Sequence, residues 1–148
     1  MPVLYFEQFK PGDEYDSPRR TITEADVVAF AGLSGDYNPL HTDEVFAKGT
    51  IFGERIAHGL LVLSISSGLN ARTGILDGTA MAFLGIREWN FKKPVLFGDT
   101  IMVKTIVEDK RETKKPDRGI VTFRAQIINQ EGEIVQEGLR QLMVRRQP

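Results

Sequence analysis

The chain has 148 residues, 41% apolar and 26% charged, with 19 Lys and Arg against 20 Asp and Glu and no cysteine. That length suits one domain, 1–148, able to bury about 70% of the surface its unfolded form exposes, so neither metal nor disulfide is needed to hold it together. A formal charge of -1 gives no general attraction for nucleic acid, the missing cysteines exclude thiol catalysis and thiolate metal ligation, and no segment approaches the roughly 20 apolar residues of a membrane span. The opening MPVLYFEQFKPGDEYD lacks the basic region and apolar run of a signal peptide. The expectation is a soluble, cytoplasmic protein.

The first convincing helix is announced by Thr23-Glu24-Ala25-Asp26. Thr23 can cap it, Asp26 can return the contact as a short capping-box acid, and Ile22 can pack on Val27 as a staple. Val27, Phe30 and Ala31 continue the apolar stripe until Gly35. The following Asp36-Tyr37-Asn38-Pro39-Leu40-His41 reads as an ordered loop, because Pro39 pushes Asn38 out of helical geometry. Thr42-Asp43-Glu44 is a second helix start, with Thr42 as the cap. A third helix begins near His58 or Gly59 and runs to about Arg72; HGLLVLSISSGLNAR is too apolar for an ordinary surface helix, which predicts a central, buried one.

From residue 79 the preference turns to strand. Residues 79–92 form one candidate, with Pro94 marking its exit. In 99–109, Ile101, Val103, Thr105 and Val107 alternate with Met102, Lys104, Ile106 and Glu108. Val121, Phe123, Ala125 and Ile127 repeat the alternation before the turn-rich NQEG, and 133–145 returns as the second arm of a hairpin. Helices early and antiparallel strands late describe an α+β layer with a sheet covering the apolar helix.

Asp36 and His41 are the candidate chemical centre. A carboxylate accepts protons and an imidazole exchanges them near neutral pH, so a turn that brings the two together can handle a water molecule. A structural loop network is the competing account. Asn38 offers a two-sided amide to that site or to nearby backbone. Gly59, at the start of the apolar helix, permits close approach of a carbonyl oxygen to helix-start N–H groups, or serves conformation alone. His58 orients the loop or caps a packed element. Ser64 supports the centre or satisfies a backbone carbonyl. Two histidines and scattered acids give no specific metal spacing. Two basic clusters, Lys92-Lys93 and Lys110 to Arg118, are solvated surface or an anion-binding face.

Residues 32–68, GLSGDYNPLHTDEVFAKGTIFGERIAHGLLVLSISSG, and 86–108, IREWNFKKPVLFGDTIMVKTIVE, resemble the MaoC-like dehydratases, in particular single-domain R-specific enoyl-CoA hydratases. The resemblance implies a hotdog fold, in which a curved antiparallel sheet wraps a long helix, and a homodimer or an assembly of dimers. It implies reversible hydration of trans-2-enoyl-CoA to R-3-hydroxyacyl-CoA with no cofactor, CoA being part of the substrate. Asp36 and His41 would form the catalytic pair with Asn38 as polar support, the Gly59 N–H would polarise the thioester carbonyl, and Ser64 would match a supporting serine. Lys92 and Lys93 are candidates for CoA phosphate, and Phe52, Phe91 and Phe97 for apolar walls. A hotdog thioesterase and a catalytically silent acyl-CoA-binding protein are the alternatives.

Overall fold

The computed structural model describes all 148 residues. After a single 3-10 turn at Phe6–Gln8 the order is β1 (Glu14–Asp16), β2 (Arg20–Thr21), α1 (Glu24–Ser34), α2 (Pro39–Thr42), α3 (Glu44–Lys48), α4 (Gly59–Ala71), β3 (Ala80–Phe91), β4 (Thr100–Glu112), β5 (Arg118–Ile128) and β6 (Ile134–Arg145). The sheet is antiparallel in the order β1-β4-β5-β6-β3, with β2 also pairing with β4.

The α1 entry follows the capping chemistry written in its sequence. The Thr23 hydroxyl accepts the Asp26 N–H at 3.2 Å and the Asp26 carboxylate accepts the Thr23 N–H at 2.9 Å, while Ile22 and Val27 are both fully buried in the core cluster around α4. Gly35 closes the helix in the left-handed region, φ +78°.

Beyond Gly35 two expectations are corrected. Asp36–His41 is not all loop: Pro39 does keep Asn38 out of helical geometry, at φ -50° and ψ 131°, but it also begins the one-turn helix α2, where its missing N–H costs nothing and its fixed φ suits the first position. Thr42 therefore ends α2 and cannot cap α3. That cap is Asp43, which accepts the Phe46 N–H at 3.0 Å.

Strand alternation emerges as expected: Ile101, Val103, Thr105 and Val107 on β4, and Val121, Phe123, Ala125 and Ile127 on β5, all point inward. α4 is central on one face only. Leu61, Val62, Ile65 and Leu69 pack onto the sheet, whereas Leu60, Ser64, Ser67 and Gly68 are exposed in the single chain. The short strands β1 and β2 carry too few residues to show an alternation.

One irregularity of the sheet bears on the site. Between the pairs Arg87–Leu139 and Asn90–Glu137 the β3 strand bulges, with Glu88 at φ +54°. Trp89 lies over Gly138, where a Cβ would stand 2.5 Å from the indole ring. The indole N–H donates to Gln136 Oε1 at 3.0 Å, and the Gln136 amide donates to the Gly59 carbonyl at 3.1 Å. The sheet edge thus pins the first turn of α4.

Candidate active site

The segment from α1 to α2 has little freedom. Ser34 Oγ donates to the Phe30 carbonyl at 2.7 Å and accepts the Asp36 N–H at 3.1 Å. One Asp36 carboxylate oxygen accepts the Asn38 N–H at 3.2 Å, Asn38 Oδ1 in turn accepts the Leu40 N–H at 3.0 Å, and the Thr42 hydroxyl reaches the Tyr37 and Asn38 carbonyls. Such side-chain to backbone bonds are what Asp, Asn, Ser and Thr supply at turns. Asn38 is thereby a local cap whose carbonyl oxygen is already used, and Asp36 remains exposed at the surface.

The two histidines close a circuit around this turn. His41 Nδ1 lies 2.7 Å from the Ile56 carbonyl and His58 Nε2 lies 2.9 Å from the Asp36 carbonyl. A carbonyl oxygen can only accept, so each of these nitrogens carries its proton. In a neutral ring the exchanging nitrogen is then Nε2 of His41 and Nδ1 of His58. The rings stack with centroids 3.9 Å apart and an interplanar angle of 28°, and Phe30 meets His58 edge-on at 4.9 Å. His58 is 2% exposed and its Nδ1 has no hydrogen-bond partner. A buried polar atom without a partner is costly, and such costs concentrate at functional sites.

One ring nitrogen from each histidine and an Asp36 carboxylate oxygen lie within 4.8 Å of one another. This cluster does not have the shape of a metal site. An ion must lie near the plane of each imidazole that binds it, at about 2.0–2.1 Å from the nitrogen, and two stacked, nearly parallel rings share no such point. The arrangement suits proton transfer instead.

His58 directly precedes α4, so the circuit is joined covalently to Gly59. The Gly59 N–H opens the helix, has no intrahelical acceptor and finds none elsewhere in the chain. A cavity of about 680 Å³ opens beside it, lined among others by Phe52, Ile56, Gly59, Phe91, Lys92, Lys93 and Gln136. A Cβ on Gly59 would stand 2.7 Å from Phe91 Cδ1, so any larger residue here must displace the Phe91 ring.

The remaining expected residues divide. Phe52 and Phe91 line the cavity, as do Lys92 and Lys93, the former 3.7 Å from Glu137 and the latter ion-paired with Glu133. Phe97 does not; its ring lies under the Arg55 guanidinium at 4.9 Å and packs on the core. Ser64 donates to the Leu60 carbonyl at 2.8 Å and lines a second hollow, between α1 and α4, with no bond to Asp36 or His41. In the other basic cluster Lys110 binds the Phe6 and Glu7 carbonyls and Arg118 pairs with Asp117, which commits both to structure. His58 is the site member least visible in the sequence; its one signal is a histidine standing directly before an apolar helix.

The model of the MaoC like domain matches residues 7–127. The chain belongs to that family. It is 44% identical over 114 residues to "Protein MaoC" of Klebsiella aerogenes, which covers 77% of this chain but only 33% of that longer protein. With the "(R)-specific enoyl-CoA hydratase" of Rhodospirillum rubrum it shares 38% identity over 141 residues, 95% of this chain and 91% of the relative. The crystal structure of the MaoC-like dehydratase from Rhodospirillum rubrum superposes with a TM-score of 0.85 at 32% identity, covering 98% of this chain and 99% of that one. The fold shared with such MaoC-like structures is the hotdog, α4 being its central helix.

Proposed function

We propose that the protein catalyses the reversible hydration of trans-2-enoyl-CoA to R-3-hydroxyacyl-CoA. The observation that carries this is the circuit in which His58 ties the Asp36 turn and the stacked His41 ring to the unpartnered N–H of Gly59, a residue that lines the cavity. The name of the Rhodospirillum rubrum relative, an (R)-specific enoyl-CoA hydratase, supports the stereochemistry and substrate class.

In this mechanism the thioester carbonyl accepts the Gly59 N–H, which draws electron density from carbon 3. The dipole of α4 favours the negative charge that develops on the oxygen. Asp36 and His41 hold one water between them. Its hydroxide adds to carbon 3 and one proton is delivered to carbon 2, so the elements of water are conserved across the double bond. Asp36 is the principal base and His41, through Nε2, the orienting partner. Asn38 shapes the turn that presents Asp36, Ser64 supports α4 through the Leu60 carbonyl, and Lys92 and Lys93 exchange their acidic partners for CoA phosphate.

The working unit is a homodimer. β3 is an outer strand of the sheet and exposes Met81, Phe83, Leu84 and Ile86. A long apolar edge strand left open invites pairing, and a second copy of the same surface would cover it. Sedimentation of the wild type and of Phe83→Glu tests this: a dimer that Phe83→Glu converts to monomer is expected, and a monomeric wild type overturns it.

Crotonyl-CoA tests the chemistry. Loss of enoyl absorbance without release of free thiol, with chiral analysis returning the R product, is the expected outcome. Thiol release with an unhydrated acid would identify a thioesterase, and saturable binding without turnover would identify a silent binder.

A further inference from the structure

Arg140 is the only Lys, Arg, Asp or Glu side chain buried in the chain, at 3% exposure. Its guanidinium donates to Ser66 Oγ and lies over the Trp89 ring, 5.5 Å from the centroid. No carboxylate lies within ion-pairing distance of it, whereas Arg20, Arg55, Arg118, Arg124 and Arg146 all have one. Burial without an opposing charge pulls its pKa down to about 10, which leaves it a cation at neutral pH. An arginine offers five donors, and one hydroxyl satisfies few of them. A buried, uncompensated cation is unfavourable unless something brings an anion to it.

Its position says where the anion would come from. On β6, Gln136 lines the cavity and holds the Gly59 carbonyl, and Arg140 follows four residues on. On α4, Val62 lines the cavity, and Ser66, one turn further, carries the guanidinium. Trp89, whose indole N–H donates to Gln136, links the two, since the Arg140 guanidinium lies over its ring. From the Gly59 N–H to Ser66 the helix rises on the order of 10 Å, the reach of a medium-length acyl chain whose thioester carbonyl sits at Gly59.

We propose that Arg140 is an acyl-specificity residue that receives the carboxylate at the far end of a dicarboxylic 2-enoyl thioester. The inference rests on the hydratase reading above and names the substrate class for that site. Planar, paired N–H groups match a carboxylate in two parallel hydrogen bonds, and Ser66 holds the guanidinium in place for them. A methyl-ended chain of the same length has nothing to offer the cation and leaves it desolvated, so discrimination comes from the unmet charge as much as from the contact.

The test uses the full chain and pairs of trans-2-enoyl-CoAs of equal length, about four to eight carbons, ending in methyl or in carboxylate. At the matching length a kcat/KM ratio of at least tenfold in favour of the carboxylate is expected. Arg140→Met should abolish that ratio, and Arg140→Lys should retain part of it. With the cation gone, the thermal midpoint of Arg140→Met should hold or rise. A wild type without preference, or a preference that Arg140→Met leaves unchanged, overturns the proposal. So does an Arg140→Met chain that loses stability together with its dimeric state, which would assign the cation to an acid of a second copy. Should no enoyl-CoA turn over, the hydratase reading fails separately, and equilibrium binding of saturated mono- and dicarboxylic CoA thioesters still reads the discrimination.

Discussion

The two ends of the sheet are built on opposite principles. At one end Phe6, Phe9, Ile75, Val107, Val121, Phe123, Leu142 and Val144 form an apolar cluster, with Phe9 edge-on to Phe123 at 5.3 Å and Arg146 and Lys110 over the Phe6 ring. The other end, around the start of α4, tolerates an orphaned His58 Nδ1, two stacked imidazoles, a free helix-start N–H and an open cavity. The first arrangement maximises burial. The second keeps polar atoms unmet where a substrate can meet them, and its cost is carried by the packing of the first. Stability and chemistry should therefore respond to different substitutions.

The largest effect belongs to the pair itself. Asp36→Asn and His41→Gln should each lower kcat by roughly 100- to 10,000-fold, the range of positioned proton transfer. Thermal midpoints should stay near wild type, since neither side chain lies in the core; full hydratase activity in both folded variants would sink the assignment. At the opposite end Phe123→Ala should cost about 3–5 kcal/mol of stability. Urea unfolding measures it, and a shift in midpoint without change in slope shows that the loss is local packing.

His58 sharpens the contrast, because it is buried like a core residue but bonded like a site residue. His58→Leu should lower kcat about 100-fold, the scale on which a small misplacement of reacting groups is felt. His58→Gln, which can still donate to the Asp36 carbonyl, should recover much of that loss; equal damage by both would make the role one of packing volume. Gly59→Ala should lower kcat/KM by about tenfold, because the Phe91 ring must move and the carbonyl donor shifts rather than disappears. Steady-state kinetics with crotonyl-CoA separate these cases.

The smallest effect lies on the open sheet surface. Two hydrogen bonds from Arg124 hold the Glu108 carboxyl below its ordinary value of 4.5. A carboxyl depressed in the folded state adds stability that is fully present above its unfolded value and is lost as pH falls through the folded one. Glu108 is 41% exposed, so solvent screening keeps the contribution below about 1 kcal/mol. Comparing Glu108→Gln with wild type by urea unfolding between pH 3 and pH 7 should show the difference shrinking toward the acid end.

Much of this protein is determined locally. Thr23 and Asp26 specify where α1 begins, the period of two specifies the buried faces of β4 and β5, and the apolar run after His58 specifies α4, because each signal is read over neighbouring residues. Asp36, His41 and Gly59 were legible as site candidates through the DYNPLH and IAHG segments. Only the tertiary structure decided the rest. Pro39 starts a turn of helix because Asn38 caps it, and α4 is left open on one side because the sheet covers only the other. His58 reaches back 22 residues to the Asp36 carbonyl, and Arg140 crosses 74 residues to Ser66. A histidine or an arginine in a sequence carries no sign of whether its partners are met. That depends on which elements packing brings to its side, and here packing leaves a ring nitrogen of His58 without a partner and the Arg140 cation without a carboxylate.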